Sequence, residues 1–415
     1  MADSPATFSA LINTTKRVYG PRIEEQVNKS AFLYKLFDED TQADFMGEGW
    51  FFPVTDEGGQ SIGNYGDNEE LADSQAESYN LAKIDTKQAY AVIQVTGKAI
   101  AATRKNMQAF LKAKQGEIEA KTKSLISDLN RQCYGDSYGT LGAVASDAAN
   151  TITFGGDVNM LWFRKNMKID IFDATRTTKR NGAAGTKKEG RSITAINYAT
   201  RTITYSGGDL SGSIIATDVV FREDERLNLA GTVEGKELNG FRFMGDDGTD
   251  SLATFQNVSR TSVAVWKANR LFNAGTLRPL TLDLLQQLVD AVTTSSTEEP
   301  THLLMGLGQR RMYLNTLRYD VRYEPQQLKG GFKTLQYNNM DVLVDKDMLP
   351  QQVVCFVRNK IKKYELQPLG ILDHAGVGAE RIGHFDTYEM LIGMYGNLGS
   401  TRPNAIGRLG DLTEP

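Results

Sequence analysis

The sequence predicts an α+β protein of more than one domain, and three observations carry that expectation. No proline stands between Pro53 and Pro279, which suits sheet, because interior strands need their backbone N–H groups. Within that span, Arg104 to Cys133 has helical spacing instead: Met107, Phe110, Leu111, Ile118, Leu125, Ile126, Leu129 and Cys133 fall on one broad face. Charge is also segregated. Asp38 to Asp85 holds thirteen Asp or Glu and one cation, Lys83, whereas Lys98 to Arg131 holds eight Lys or Arg against Glu117, Glu119 and Asp128. The net charge is only −4, so the two blocks are a local arrangement. Opposite blocks steer encounter and register more than they supply affinity, and exposed pairs give about 0–1 kcal/mol each. A chain gains from such blocks when copies repeat the contact many times. At 415 residues the chain exceeds the ~100–200 residues of one domain.

Taken in order, residues 1–37 read as an arm. Pro21 opens an amphipathic segment in which Ile23, Val27, Phe32, Leu33, Leu36 and Phe37 share a face. Trp50, Phe51 and Phe52 then begin a strand, Asp56 to Gly66 is rich in Gly, Asp and Asn, and Gln88 to Val95 returns as a strand. This is the pattern of a long acidic hairpin with too few large apolar groups to bury itself. The helix from Arg104 to Cys133 follows, a rod of roughly 45 Å at 1.5 Å per residue, with Gly135 placed to stop it. Residues 150–225 are β-rich: Ile193 to Tyr205 reads as a hairpin, and Ser213 to Phe221 as a further strand. Thr281 to Thr293 and Gly308 to Leu317 are expected as helices, Met340 to Val344 and Val353 to Val357 as short buried strands, and Thr387 to Leu412 as loop-rich.

The chemistry-bearing motifs point away from catalysis. Gly59-Gln60-Ser61-Ile62-Gly63 and Gly135-Asp136-Ser137-Tyr138-Gly139 match G-x-S-x-G. That motif needs a strand-to-helix turn; one match lies in the acidic loop and the other follows a helix. His302, His374 and His384 form no helical metal pair. Gly245 to Asp250 lacks the spaced acids and closing Glu of a calcium loop. Gly306 to Arg311 lacks the third glycine of a dinucleotide motif and the Lys-Ser/Thr of a phosphate loop. Arg176, Lys179, Arg180, Lys187, Lys188 and Arg191 surround a Gly/Ala-rich tip with no interleaved aromatic residue, which favours a solvated tip or a contact with acidic protein surface over a single-strand nucleic-acid site. No catalytic, cofactor-binding or metal residue is assigned. Cys133 and Cys355 are too few for a disulfide framework. Met1 to Gly20 has no apolar core of a secretory signal, and no run nears the ~18 apolar residues of a membrane span.

Several segments have the wording of one family. Phe255-Gln256-Asn257-Val258-Ser259-Arg260 followed by Trp266, the run from Tyr337 through Asp345-Lys346-Asp347 to Pro350 with Val354-Cys355-Phe356-Val357 after it, and Gly396-Asn397-Leu398 with Pro403-Asn404-Ala405 resemble, in order, the major capsid protein of tailed bacteriophages. Its fold is shared with encapsulins and with the floor domains of herpesvirus capsids. The resemblance implies an N-terminal arm (1–37), an extended acidic β-hairpin loop (38–97), a spine helix and peripheral domain (98–149), an inserted β-rich domain (150–225), a return to the peripheral domain (226–266), an axial domain (267–380) and a C-terminal return (381–415). Tyr319 to Phe332 would be the loop at the assembly axis.

The implied function is structural and non-catalytic. Copies would form the hexamers and pentamers of an icosahedral shell, enclosing double-stranded DNA without specific binding and without a membrane or a cofactor. Assembly in the host cytoplasm would involve a separate scaffolding protein, a portal protein and possible decoration proteins. Three other readings are weighed: an encapsulin-type compartment, a serine hydrolase using Ser61 or Ser137, and a carbohydrate-binding module.

Overall fold

The computed structural model describes residues 32–40, 45–55, 63–67, 69–70, 73, 76–98, 107–181, 189–208, 210, 212–224, 235–249, 253–317, 335–372, 380–381 and 384–414, with the side chains of 32, 95, 107–119, 371, 380 and 381 excepted. The expected amphipathic segment before Phe32, parts of the acidic loop (41–44, 56–62, 68, 71–72 and 74–75) and the axis loop from Tyr319 to Phe332 lie outside these residues. The chain divides into two compact units. One comprises Met1–Leu36, Thr86–Asn130 and Glu365–Gly396; the other comprises Phe37–Asp85, Arg131–Tyr364 and Asn397–Pro415.

In the first unit, strand Lys87–Thr96 runs antiparallel to Thr387–Gly396, in register from Thr96↔Thr387 to Lys87↔Gly396. Alternation sorts its faces. Ile93, Ile392 and Met394 are buried on one side, while Tyr90 and Val92 point to the other and are 43% exposed each. The long helix is Met107–Gln132. Its later turns bury Leu125 and Leu129, four residues apart on one face. A short helix, Phe32–Leu36, meets this unit through Leu33, whose N–H donates to Asn130 Oδ1 at 3.0 Å.

The second unit contains three assemblies of strands. A ribbon pairs Gly49–Thr55 with Tyr79–Asp85. Its inner face buries Trp50, Ala82 and Ile84, with Trp50 5.6 Å from Tyr364 and Phe52 6.1 Å from Trp266, ring centre to ring centre. A closed six-stranded barrel runs Val219–Arg222, Thr140–Ala148, Thr151–Phe154, Thr202–Tyr205, Arg191–Asn197, Lys168–Phe172 and back. Its strands are rich in β-branched residues, and Ile152, Ile169, Ile171, Ile193, Ile203 and Val220 are fully buried. The third assembly is a mixed six-stranded sheet, ordered Asn269–Leu271, Ile406–Leu409, Val353–Phe356, His302–Met305, Met340–Val344, Leu335–Tyr337. Helix Leu282–Ser296, capped by Thr281 Oγ1 accepting from Leu284 N, packs Leu285, Leu288 and Val292 onto Leu303, Val353, Cys355 and Leu409.

A polar clasp joins the barrel's connecting loop to the turn after Met340–Val344. Asn159 Nδ2 donates to the carbonyls of Lys346 (2.7 Å) and Met348 (2.9 Å), and Trp162 Nε1 donates to that of Asp347 (3.0 Å).

Three expectations fail here. Gln88 to Val95 is not the return strand of the hairpin: Tyr79–Asp85 pairs with Gly49–Thr55, and Lys87–Thr96 pairs with Thr387–Gly396. Ser213 to Phe221 is strand only from Val219: Thr217 adopts φ +84°, and Asp218 Oδ2 accepts from Ile215 N, folding the preceding residues into a turn. Thr387 to Leu412 is not loop-rich, because Thr387–Ser400 is one 14-residue strand. The glycines that punctuate it allow close approach. A Cβ at Gly393 would lie 2.6 Å from the Ala89 carbonyl oxygen, and one at Gly399 would lie 2.3 Å from Ile84 Cδ1.

Candidate assembly surfaces

The acidic ribbon has a sided character. Opposed residues share a face, so Phe51/Lys83, Pro53/Leu81 and Thr55/Tyr79 form the side turned from the buried Trp50 and Ile84. Leu81 is 56% and Tyr79 63% exposed. Lys83, the one cation of this acidic block, sits between Glu48 Oε2 (3.0 Å) and Asp85 Oδ1 (3.1 Å). The hydrogen bond to Glu48, then that to Asp85, raises its pKa. The ribbon therefore offers an apolar strip rimmed by acid. On the long helix, Lys121 and Lys123 are exposed. Arg131 is not part of that basic face: it is buried and paired with Glu237. Lys112 and Lys114 lie among the side chains outside the described residues.

The cluster from Arg176 to Arg191 behaves differently from its sequence appearance. Arg176 faces Asp136, Lys179 faces Asp170 and Arg180 faces Asp218, at 3.8, 2.9 and 3.1 Å. These cations neutralise carboxylates of their own fold. The sequence could not show this, because two of the three carboxylates come from segments well removed along the chain. Lys187 and Lys188 lie outside the described residues.

The catalytic candidates are placed as follows. Ser137 is buried at φ +70°, and its hydroxyl donates to the Glu237 carbonyl at 2.9 Å. Its turn leads from a helix into a strand, the reverse of what a nucleophilic serine elbow requires. Ser61 and His374 lie outside the described residues. His302 stacks on Phe356, its Nδ1 is 2.7 Å from Thr301 Oγ1, and burial lowers its pKa against the pull of Asp341. His384 is exposed. Among the described residues, no group of three His, Cys, Asp or Glu is placed to hold a metal ion. Cys133 and Cys355 are buried free thiols; burial pushes Cys355 up to about 12 and Cys133 higher still. In the Gly245 to Asp250 segment, Asp246 pairs with Arg260, and Asp247 Oδ1 accepts from Thr249 N. No helix among the described residues is long and apolar enough to cross a membrane.

Asp136 yields a pH prediction. Its Oδ1 accepts from Tyr138 N (3.2 Å) and Thr140 N (3.3 Å). Burial favours its neutral form, but the Arg242 charge, the Thr140 hydrogen bond and Arg176 outweigh burial and hold the carboxyl below the usual range. A depressed folded pKa stabilises the protein above the unfolded value of about 3.9 and is lost as pH falls through the folded one. Asp136→Asn is therefore expected to be less stable near neutrality, and to lose less than the parent as pH drops below about 4. Denaturant midpoints of the purified chain across pH 2–6 check this; parallel curves for parent and variant would count against it.

No protein-family model and no curated protein matches the sequence. Solved structures do match it in fold. The capsid of Cyanophage A-1(L) matches at TM-score 0.56 and 10% identity, over 99% of this chain and 99% of that chain. The capsid of a native GTA particle matches at TM-score 0.48 and 9% identity, over 95% and 96%. An encapsulin complex from Synechococcus elongatus matches at TM-score 0.45 and 8% identity, over 98% and 95%. The chain therefore shares the fold of the Cyanophage A-1(L) capsid along nearly its whole length.

Proposed function

We propose that this chain is a major capsid protein of a tailed bacteriophage, a structural subunit rather than an enzyme. Its copies form hexamers and pentamers of an icosahedral shell around double-stranded DNA. The observation that carries this reading is the fold match to the Cyanophage A-1(L) capsid over 99% of both chains. In this reading residues 1–37 are an arm and 38–97 an extended loop laid on a neighbouring subunit. Residues 98–149, 226–266 and 381–415 form the peripheral domain, 150–225 an inserted domain, and 267–380 the axial domain. The exposed strip of Pro53, Leu81 and Tyr79 supports a covered role for the ribbon, since contiguous exposed apolar surface marks interaction sites. The net charge of −4 supports a lining that encloses DNA without gripping it, because a basic lining would bind through counterion release. A separate scaffolding protein, a portal and possible decoration proteins complete the proposed partners.

Expression of the full chain followed by electron microscopy and sedimentation tests the reading. Closed particles or capsomers are expected; a compact monomer that persists at high concentration would overturn it. The charge blocks give a second measurement. Replacing Lys112, Lys114, Lys121 and Lys123 with Gln is expected to weaken assembly at low salt and to flatten its dependence on ionic strength. If variant shells form and resist salt as the parent's do, the acidic ribbon does not lie on that helix of the next subunit.

A further inference from the structure

One side-chain cluster in the barrel has no role in the proposed shell contacts. Strand Lys168–Phe172 is followed by a loop whose return segment pairs back on it: Lys179 bridges to Phe172 antiparallel, and Arg180 N donates to the Ile171 carbonyl at 2.7 Å. Continuing that register sets Asn181 opposite Asp170, and the side chains of Lys179 and Asn181 both reach Asp170 Oδ1. All three are buried. Asp170 Oδ1 is 2.9 Å from Lys179 Nζ and accepts from Asn181 Nδ2 at 3.2 Å, while Oδ2 accepts from Asp224 N at 3.1 Å. Asn181 Oδ1 accepts from Ile171 N at 2.8 Å, and its Nδ2 also reaches the Ile169 and Glu189 carbonyls at 3.4 Å each.

These are the parts of an amide exchange. An amine and a carboxamide meet on one carboxylate oxygen. The carboxamide oxygen is held by a backbone N–H, the arrangement that stabilises charge developing on a carbonyl oxygen. The carboxylate touches both the attacking and the leaving nitrogen, which is the position of a general acid–base. Held in place this way, the groups need no bimolecular encounter.

We infer that Lys179 and Asn181 condense into an intramolecular isopeptide bond, with Asp170 as the proton carrier. Asp170 takes a proton from the Lys179 ammonium. The freed Nζ lone pair attacks Asn181 Cγ, and the carbonyl π pair moves onto Oδ1, facing Ile171 N–H. Asp170 passes its proton to Nδ2 and receives the second proton of Nζ. The C–Nδ2 bond breaks, the carbonyl re-forms, and nitrogen leaves as ammonia, which departs as ammonium with the proton that Asp170 holds. One N–C bond forms, one breaks, and nothing is oxidised. The reaction is independent of shell formation.

Intact-mass measurement of the purified full chain, followed by denaturation and tryptic digestion, tests the inference. The expected chain is lighter than its sequence by one ammonia. Cleavage after Lys179 is blocked, and the peptide ending at Arg180 stays joined to the one beginning at Asn181. Lys179→Arg and Asp170→Asn restore the full mass, and this can be read on denatured protein even where a variant folds poorly. Full mass with normal cleavage after Lys179 overturns the inference and leaves a plain buried ion pair. Loss of ammonia with the two peptides separate also overturns it, since Asn181 has then cyclised onto the following backbone nitrogen.

Discussion

Asp246→Ala is expected to cost about 3–5 kcal/mol of folding stability, because it strands a buried guanidinium. Arg260 and Asp246 are each 0% exposed, with Nη1 3.4 Å from Oδ2. The guanidinium lies 4.9 Å from the Phe255 ring centre and 5.3 Å from that of Phe243, and it donates to the Phe243 carbonyl. Burial pushes Arg260 down to about 10 despite the opposing pull of Asp246 and Asp247. Without Asp246 the charge keeps its aromatic neighbours and loses its main counter-ion. Denaturant midpoints of the purified chain measure the loss, with an unchanged slope showing that the folded state is otherwise intact. The double change Asp246→Leu with Arg260→Met is expected to recover most of it, since replacing a whole buried pair by apolar groups of similar volume is often neutral or better. A single Asp246→Ala loss under about 1 kcal/mol would show that the pair contributes no more than an exposed one.

Trp266→Ala should cost a similar amount, about 3–5 kcal/mol, and should act at a distance along the chain. Trp266 is 1% exposed, its Nε1 donates to the Phe255 carbonyl at 2.9 Å, and its ring faces Phe52 of the acidic ribbon. Removing the indole empties the space beneath the ribbon root. Amide hydrogen exchange is expected to rise selectively in Gly49–Thr55 and Tyr79–Asp85, because local opening tracks buried apolar contact. Trp266→Phe should keep most of the protection. Unchanged exchange in those two strands would mean that the ribbon root is held by Trp50, Ile84 and Tyr364 alone.

Elements with one clean periodicity were legible in the sequence. The helix over Arg104 to Cys133 is Met107–Gln132 in its described part, Thr281 to Thr293 is Leu282–Ser296, and Met340 to Val344 matches at both ends. The Ile193 to Tyr205 hairpin is found as Arg191–Asn197 with Thr202–Tyr205, turned by Asn197 Oδ1 accepting from the N–H groups of Ala199 and Thr200. What was not legible depends on residues distant in sequence. Strand Ile361–Leu372 carries Lys362, Lys363 and Pro368 and shows no apolar alternation, so only its neighbours in the sheet reveal it. Arg131 reads as part of a basic face until Glu237, 106 residues on, is placed beside it. The cations of Arg176 to Arg180 likewise read as a solvated tip until Asp136 and Asp218 arrive. A sequence shows where charges are, whereas their neutralisation is a tertiary fact.

The barrel begins and ends at one place. Phe221 stands opposite Thr140, and Arg222 N donates to the Gly139 carbonyl at 3.0 Å. To the flanking polypeptide, the stretch between those residues is therefore geometrically equivalent to a tight turn. Such a cassette can be exchanged, enlarged or used to display a foreign peptide without altering the span its host must bridge.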